Sequence, residues 1–389
     1  MRKIHWVALC FGILISTIGC DKRAEVSRLF RSGVQKFGYT NWDGAIADFK
    51  DIIAIDPTNA TAFYDLGLAE ARKGDKQVAI KDFDKSIQLD PTQASAYEAR
   101  GDAKREIGEF ACALADANRG VELNPRGASA FEARGLAEIR MGDFDGAIAD
   151  ESKAIELDPA HATAAYCDRG VAEGRRGDLD AAIADFNKSI ELDSHSAYTY
   201  GVRAIARSYK GDMEGALADS RRSIELDPND TSSYVTHGAA NYRLGRIDDS
   251  LADVNHVIQL EPTNSWAFNE RGWIKYQKGD FQGSFTDATV AIQLDSSNEL
   301  AYGTRGWAEF SNGDIAAAKL DCQKAVLLYG TNILEASIDQ GMLHFMDKDY
   351  KQALVSWGEA SDHDPIWKKD LQPWIEKAKS GLTNDVKAP

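Results

Sequence analysis

Hydrophobic and polar positions in this chain recur with a period of 34 residues. A glycine holds one equivalent place in successive periods: Gly33, Gly67, Gly101, Gly135, Gly170, Gly238, Gly272, Gly306 and Gly341. Twelve residues beyond each stands a small residue, as at Ala45, Ala79, Ala113 and Ala147. An aromatic ring holds the fourth place of most periods, at Phe63, Tyr97, Phe131, Tyr166, Tyr200, Tyr234, Phe268 and Tyr302. The small residues let two helices approach until their ridges interlock. A further glycine (Gly74, Gly108, Gly142, Gly177, Gly211, Gly245, Gly279, Gly313) sits where the first helix must end, in the left-handed conformation. An acid usually follows, as at Asp75, Asp143, Asp178, Asp212, Asp280 and Asp314, suited to cap the second helix. Pro57, Pro91, Pro125, Pro159, Pro228 and Pro262 close their periods, because proline cannot extend the hydrogen-bond ladder. One pair cannot bury its own apolar face, so neighbours must stack.

These spacings resemble the tetratricopeptide repeat, a helix-turn-helix unit of 34 residues. The resemblance covers ten units over 26–365, starting at 26, 60, 94, 128, 163, 197, 231, 265, 299 and 334. It implies an all-α, right-handed superhelical solenoid that binds proteins and carries no cofactor. Residues 366–389 are expected as a capping helix and tail, with Trp367, Leu371, Trp374 and Ile375 covering the last exposed face and Pro373 splitting or restarting the helix.

Composition narrows the function. The chain has 389 residues and a net charge of −16, which repels nucleic-acid phosphates. Five cysteines do not make a disulfide framework. Zinc-helix, phosphate-loop, dinucleotide and nucleophile-elbow motifs are all missing from the sequence. His363, between Asp362 and Asp364, is set aside as a metal ligand, so no metal is expected.

The N-terminus reads as an address. Arg2 and Lys3 precede an uncharged run from Trp6 to Cys20. Thr17-Ile18-Gly19-Cys20 resembles the lipobox of bacterial lipoproteins, with Thr17 departing from the usual aliphatic residue. The resemblance implies residues 1–19 as a signal peptide, acylation of Cys20, and a short tether over 20–25. A plain cleaved signal and an uncleaved anchor also fit the run. Lipidation would place the protein on the outer side of a bacterial membrane, as an envelope adaptor or assembly factor.

Two charge series follow the period: arginines at position seven (Arg100, Arg134, Arg169, Arg203, Arg271, Arg305) and aspartates at position twenty-three, from Asp48 to Asp321. A residue repeated by the period is expected to hold the period, so these are read as Arg–Asp links between paired helices. Binding residues should instead vary. In the family, the first helix of each pair lines the concave face. Its inward positions are mixed in repeats 2–5 (Tyr64, Leu68, Arg72, Glu98, Asp102, Arg105, Glu132, Arg140, Cys167, Arg175). In repeats 6–10 they turn aromatic. The expected peptide-binding groove there comprises Tyr209, Tyr242, Trp266, Asn269, Trp273, Tyr276, Trp307, Phe310, Met342 and Phe345. Packing within the concave wall is the competing reading of those rings, and architectural self-association is the competing role for the chain. The carboxylate-clamp residues of chaperone-binding relatives are not reproduced as a set.

Overall fold

The computed structural model describes residues 20–330, 333–363 and 365–385, and within these it is all helix, twenty-one helices with no strand. The signal-peptide expectation for 1–19 lies outside the described residues, as does the side chain of Cys20. Two compact units divide the chain between Ser194 and His195. Unit 1 holds α1 (Cys20–Gly38), α2 (Trp42–Ile55), α3 (Ala60–Lys73), α4 (Lys76–Leu89), α5 (Ala94–Glu106), α6 (Phe110–Leu123), α7 (Ala128–Met141), α8 (Phe144–Leu157), α9 (Thr163–Arg176) and α10 (Leu179–Leu192). Unit 2 holds α11 (Ala197–Lys210), α12 (Met213–Leu226), α13 (Thr231–Arg243), α14 (Ile247–Leu260), α15 (Ser265–Gln277), α16 (Phe281–Leu294), α17 (Glu299–Asn312), α18 (Ile315–Tyr329), α19 (Ile333–Met346), α20 (Tyr350–His363) and α21 (Pro365–Asp385).

Within each unit every helix packs on the next, and odd-numbered first helices also touch one another, as α5 touches α7 and α15 touches α17. The first helices therefore form one layer, called here the inner face of the unit. All eight turn glycines adopt positive φ, from +77° at Gly245 to +110° at Gly74. Asp143, Asp178, Asp212, Asp280 and Asp314 each accept a hydrogen bond from a backbone N–H of the following helix; Asp75 does not.

The Arg–Asp series is scaffolding. Arg169 holds Asp185 with two bonds of 2.6 and 2.8 Å, and Arg271 holds Asp287 at 2.8 and 2.7 Å. Each position-seven guanidinium also lies over the fourth-position ring of its own helix, 5.2–5.7 Å from the centroid. His237 takes the arginine's place in α13 and meets Asp253 at 2.8 Å. These aspartates are nearly all buried, so each link is desolvated and its loss would strand a charge.

Two expectations are corrected. Residues 20–25 are not an extended tether but the first turn and a half of α1, where Asp21 complements the positive helix end. Pro373 sits inside a continuous α21 and does not split it. Cys112 is exposed, whereas Cys167 and Cys322 are buried as small apolar groups.

Candidate functional site

The expected groove residues of unit 2 are largely brought together, and the chain itself fills the space they line. Trp273 stacks on Tyr276 (5.4 Å, 14°) and meets Trp307 and Trp367 edge to face. Trp374 sits against Trp307, Phe310 and Phe345 at 5.5–5.7 Å. Trp367 and Trp374 both belong to α21. Leu371 and Ala378 of the same helix are wholly buried with Met342 and Trp357. Apolar residues at 367, 371, 374, 375 and 378 share one face of a helix, while Lys368, Lys369 and Gln372 are exposed and the Lys377 ammonium lies over the Trp374 ring.

Polar contacts fasten the same surface. The Tyr242 hydroxyl donates to Asp370 (2.7 Å) and accepts from the Trp273 indole N–H (3.0 Å). The Trp307 indole donates to Asp339 (2.9 Å), and burial pushes the Asp339 carboxyl up to about 7. Burial also pushes Tyr276 up to about 12. Asn269, expected to hydrogen-bond a ligand, is buried and accepts from Thr304 at 2.8 Å, joining α15 to α17. Only Tyr209 (80% exposed) and Trp266 (37% exposed) of the ten keep substantial exposure, and neither joins the cluster.

The open groove expected at Tyr242, Trp273, Tyr276, Trp307, Phe310, Met342 and Phe345 is thus corrected to a core closed by α21. The physical reason is simple. Each such ring offers roughly 150–250 Å² of surface to bury, and a helix on the same chain reaches it at high effective concentration. The apolar pattern of 367–378 predicts a helix that covers the end of the stack; α21 does pack on α20, and its Trp367, Asp370 and Trp374 also reach Trp273, Tyr242 and Trp307.

Unit 1 presents a different face. Its ten described helices all belong to hairpins, and none of them crosses its inner layer. That layer carries acids on four successive first helices: Asp65 on α3, Glu98 and Asp102 on α5, Glu132 on α7 and Asp168 on α9. Apart from exposed Asp102 they are half-buried. Arginines stand nearer the helix C-termini, at Arg72, Arg105, Arg140 and Arg175. Arg105 reaches Asp102 at 3.3 Å, and Ser129 donates to Glu98 at 3.0 Å. Burial pushes Asp65 up to about 7, and burial with the nearby Glu132 pushes Asp168 to about 7. Burial likewise raises Glu98 and Glu132.

Beneath this row lies an acid that the sequence reading missed. Glu151 of α8 is wholly buried, and neither carboxylate oxygen has a hydrogen-bond partner. Burial, reinforced by Asp168 and Glu132, pushes it up to about 10. The signal was present: position twenty-four of the repeat is otherwise Phe49, Phe83, Ala117, Phe186, Ser220, Val254, Ala288, Cys322 and Trp357, all buried and none an acid.

Comparison with known proteins agrees with the helix pairs. Tetratricopeptide repeat family models match residues 40–94, 98–162 and 163–196. Among solved structures, MamA is 30% identical over 44% of this chain and 93% of its own, with a TM-score of 0.39. Yeast Tom70 is 16% identical over 93% and 97%, with a TM-score of 0.43. YrrB, described as a TPR protein with an unusual peptide-binding site, is 20% identical over 48% and 95%, at 0.38. No curated protein sequence matches. The chain belongs to the tetratricopeptide repeat family, whose members are commonly non-catalytic protein-interaction scaffolds.

Proposed function

We propose that this protein is a non-catalytic scaffold that binds a partner polypeptide on the inner face of unit 1, formed by α3, α5, α7 and α9. One observation carries the reading. Unit 2 covers its inner face with its own α21, whereas no described helix of unit 1 covers the varied, partly exposed side chains of α3–α9. The apolar run before Gly19-Cys20 supports an exported, lipid-anchored protein of a bacterial envelope. Photo-crosslinking from Leu68, Glu98 or Asp102 in the intact chain tests the surface. Adducts from these positions, and none from Leu320 of α18, are expected. Incorporation of a fatty-acid analogue that disappears in Cys20→Ser tests the anchor.

A second reading, self-association, draws on one observation. Leu320 and Leu327, seven residues apart on α18, are 67% and 72% exposed. Sedimentation of the intact chain separates the two, because the scaffold sediments as a monomer and Leu320→Glu changes nothing.

A further inference from the structure

We infer that the inner face of unit 1 receives a lysine- or arginine-bearing segment of a partner polypeptide, with one cationic side chain seated by Glu132 and Asp168 over Glu151. This rests on the reading above that the face binds protein, and names the partner's chemistry.

An acidic row alone would mean little on a chain of net charge −16. Glu151 changes that. A carboxyl shut away from water without a donor is a standing cost to the fold, and nine sibling positions avoid it with uncharged residues. Its charged neighbours are Asp168 of α9, Glu132 and Glu138 of α7, and Asp150 of its own helix. Asp150 is already held by Arg134 (2.7 Å), so that guanidinium is committed elsewhere. Asp168 feels Glu132, which raises it, and Arg105, which lowers it. The Glu151 carboxyl lies against Gly135, in space that any Cβ there would occupy. Carboxyl groups from three helices, Glu132, Glu151 and Asp168, thus act on one another electrostatically; both Glu151 oxygens lack a partner, and no ion pair among the described residues includes any of the three. Among those residues no His, Cys, Asp or Glu group is arranged to hold a metal ion.

An ammonium brings three donors and a guanidinium five, in a form a carboxylate triad accepts. Asp65, Glu98 and Asp102 extend the same charge along α3 and α5, so the favoured partner is a basic stretch rather than one residue. Seating the cation draws the proton off Glu151: the carboxylic acid becomes carboxylate and the proton passes to the buffer. Binding should therefore tighten as pH rises and weaken with salt.

The test titrates the intact protein with decalysine, with decaglutamate as control, by calorimetry in two buffers of different ionisation enthalpy. Glu132→Gln/Asp168→Asn should weaken decalysine binding roughly tenfold or more. The charge-matched pair Asp51→Asn/Glu109→Gln, both exposed and on or before second helices, should leave it nearly unchanged. Glu151→Gln, with its helicity checked by circular dichroism, should abolish proton release at pH 8. Equal weakening by both double variants would reveal diffuse attraction and overturn the inference, as would absent binding or proton release that survives Glu151→Gln. Crosslinks from Glu98 or Asp102 to a partner segment without Lys or Arg would sink this inference yet leave the proposed surface standing. Absence of any inner-face crosslink sinks both.

Discussion

The two units start from the same repeat and finish their inner faces in opposite ways. In unit 2 the inward positions are aromatic and meet a helix of their own chain, so Trp307, Met342 and Leu371 are all but inaccessible. In unit 1 the inward positions carry carboxyls that keep an edge to water, over one buried acid with no donor. The lesson concerns where apolar area can be left. A row of indoles is satisfied by whatever helix is tethered nearest, so it reports a core. A row of half-buried acids meets no such occupant among the described helices of its unit, which is the ground for the proposed site.

The largest way to break the contrast is to remove the occupant. Leu371→Ala should cost about 2–5 kcal/mol, because the side chain is fully enclosed and its loss leaves a cavity. Stability in stacked repeats is shared chiefly between neighbours. The loss should therefore appear as early melting of unit 2, with exchange protection of α3–α10 unchanged. Protection lost equally in both units would refute this division.

A smaller effect comes from Tyr242→Phe. It removes the donor to Asp370 and the acceptor of the Trp273 indole. About 1–2 kcal/mol is expected from urea titration, with the ring packing kept. Of similar size but opposite sign, Glu151→Leu should stabilise unit 1 by about 1–3 kcal/mol, since it deletes a buried group without a partner. A destabilising Glu151→Leu would mean that the carboxyl is satisfied in the folded chain, and the contrast between the units would soften.

Much of this was legible in the residues. The period, the turn glycines and the capping aspartates needed only local chemistry, and the Arg–Asp links followed from their strict repetition. The turn to aromatic inward positions in unit 2 stands in the residues, but the helix that packs on them does not. Amphipathicity says that a helix over 367–378 must bury Trp367, Leu371 and Trp374; it does not say against what. The helix does seal the last hairpin, packing on α20, and its further reach to Tyr242 and Trp273 is a tertiary outcome that the pattern alone does not specify. Glu151 was missed for another reason. It lies one layer below the positions that face the groove, where a lone acid among uncharged residues shows only when all ten units are aligned.

The finest test is pH. An acid whose folded pKa exceeds its unfolded value holds its proton more tightly when folded. The stability it lends is complete at low pH and drains as pH rises through the folded value. Asp65, Asp168, Glu138 and Glu173 of unit 1, and Glu270, Glu309 and Asp339 of unit 2, all stand near 7, so both units should weaken between about pH 4 and 7. Above pH 8 these are spent. Glu151, at about 10, goes on losing its contribution. Cys322, raised by burial, adds its own slope in unit 2, but that slope is common to parent and variant. The difference in unfolding free energy between Glu151→Gln and the parent should therefore widen in favour of the variant from pH 8 to 10 and stay flat below pH 4. A difference that is constant across the whole range would show that Glu151 titrates alike in the folded and unfolded chain, and would remove the physical ground on which the two inner faces are told apart.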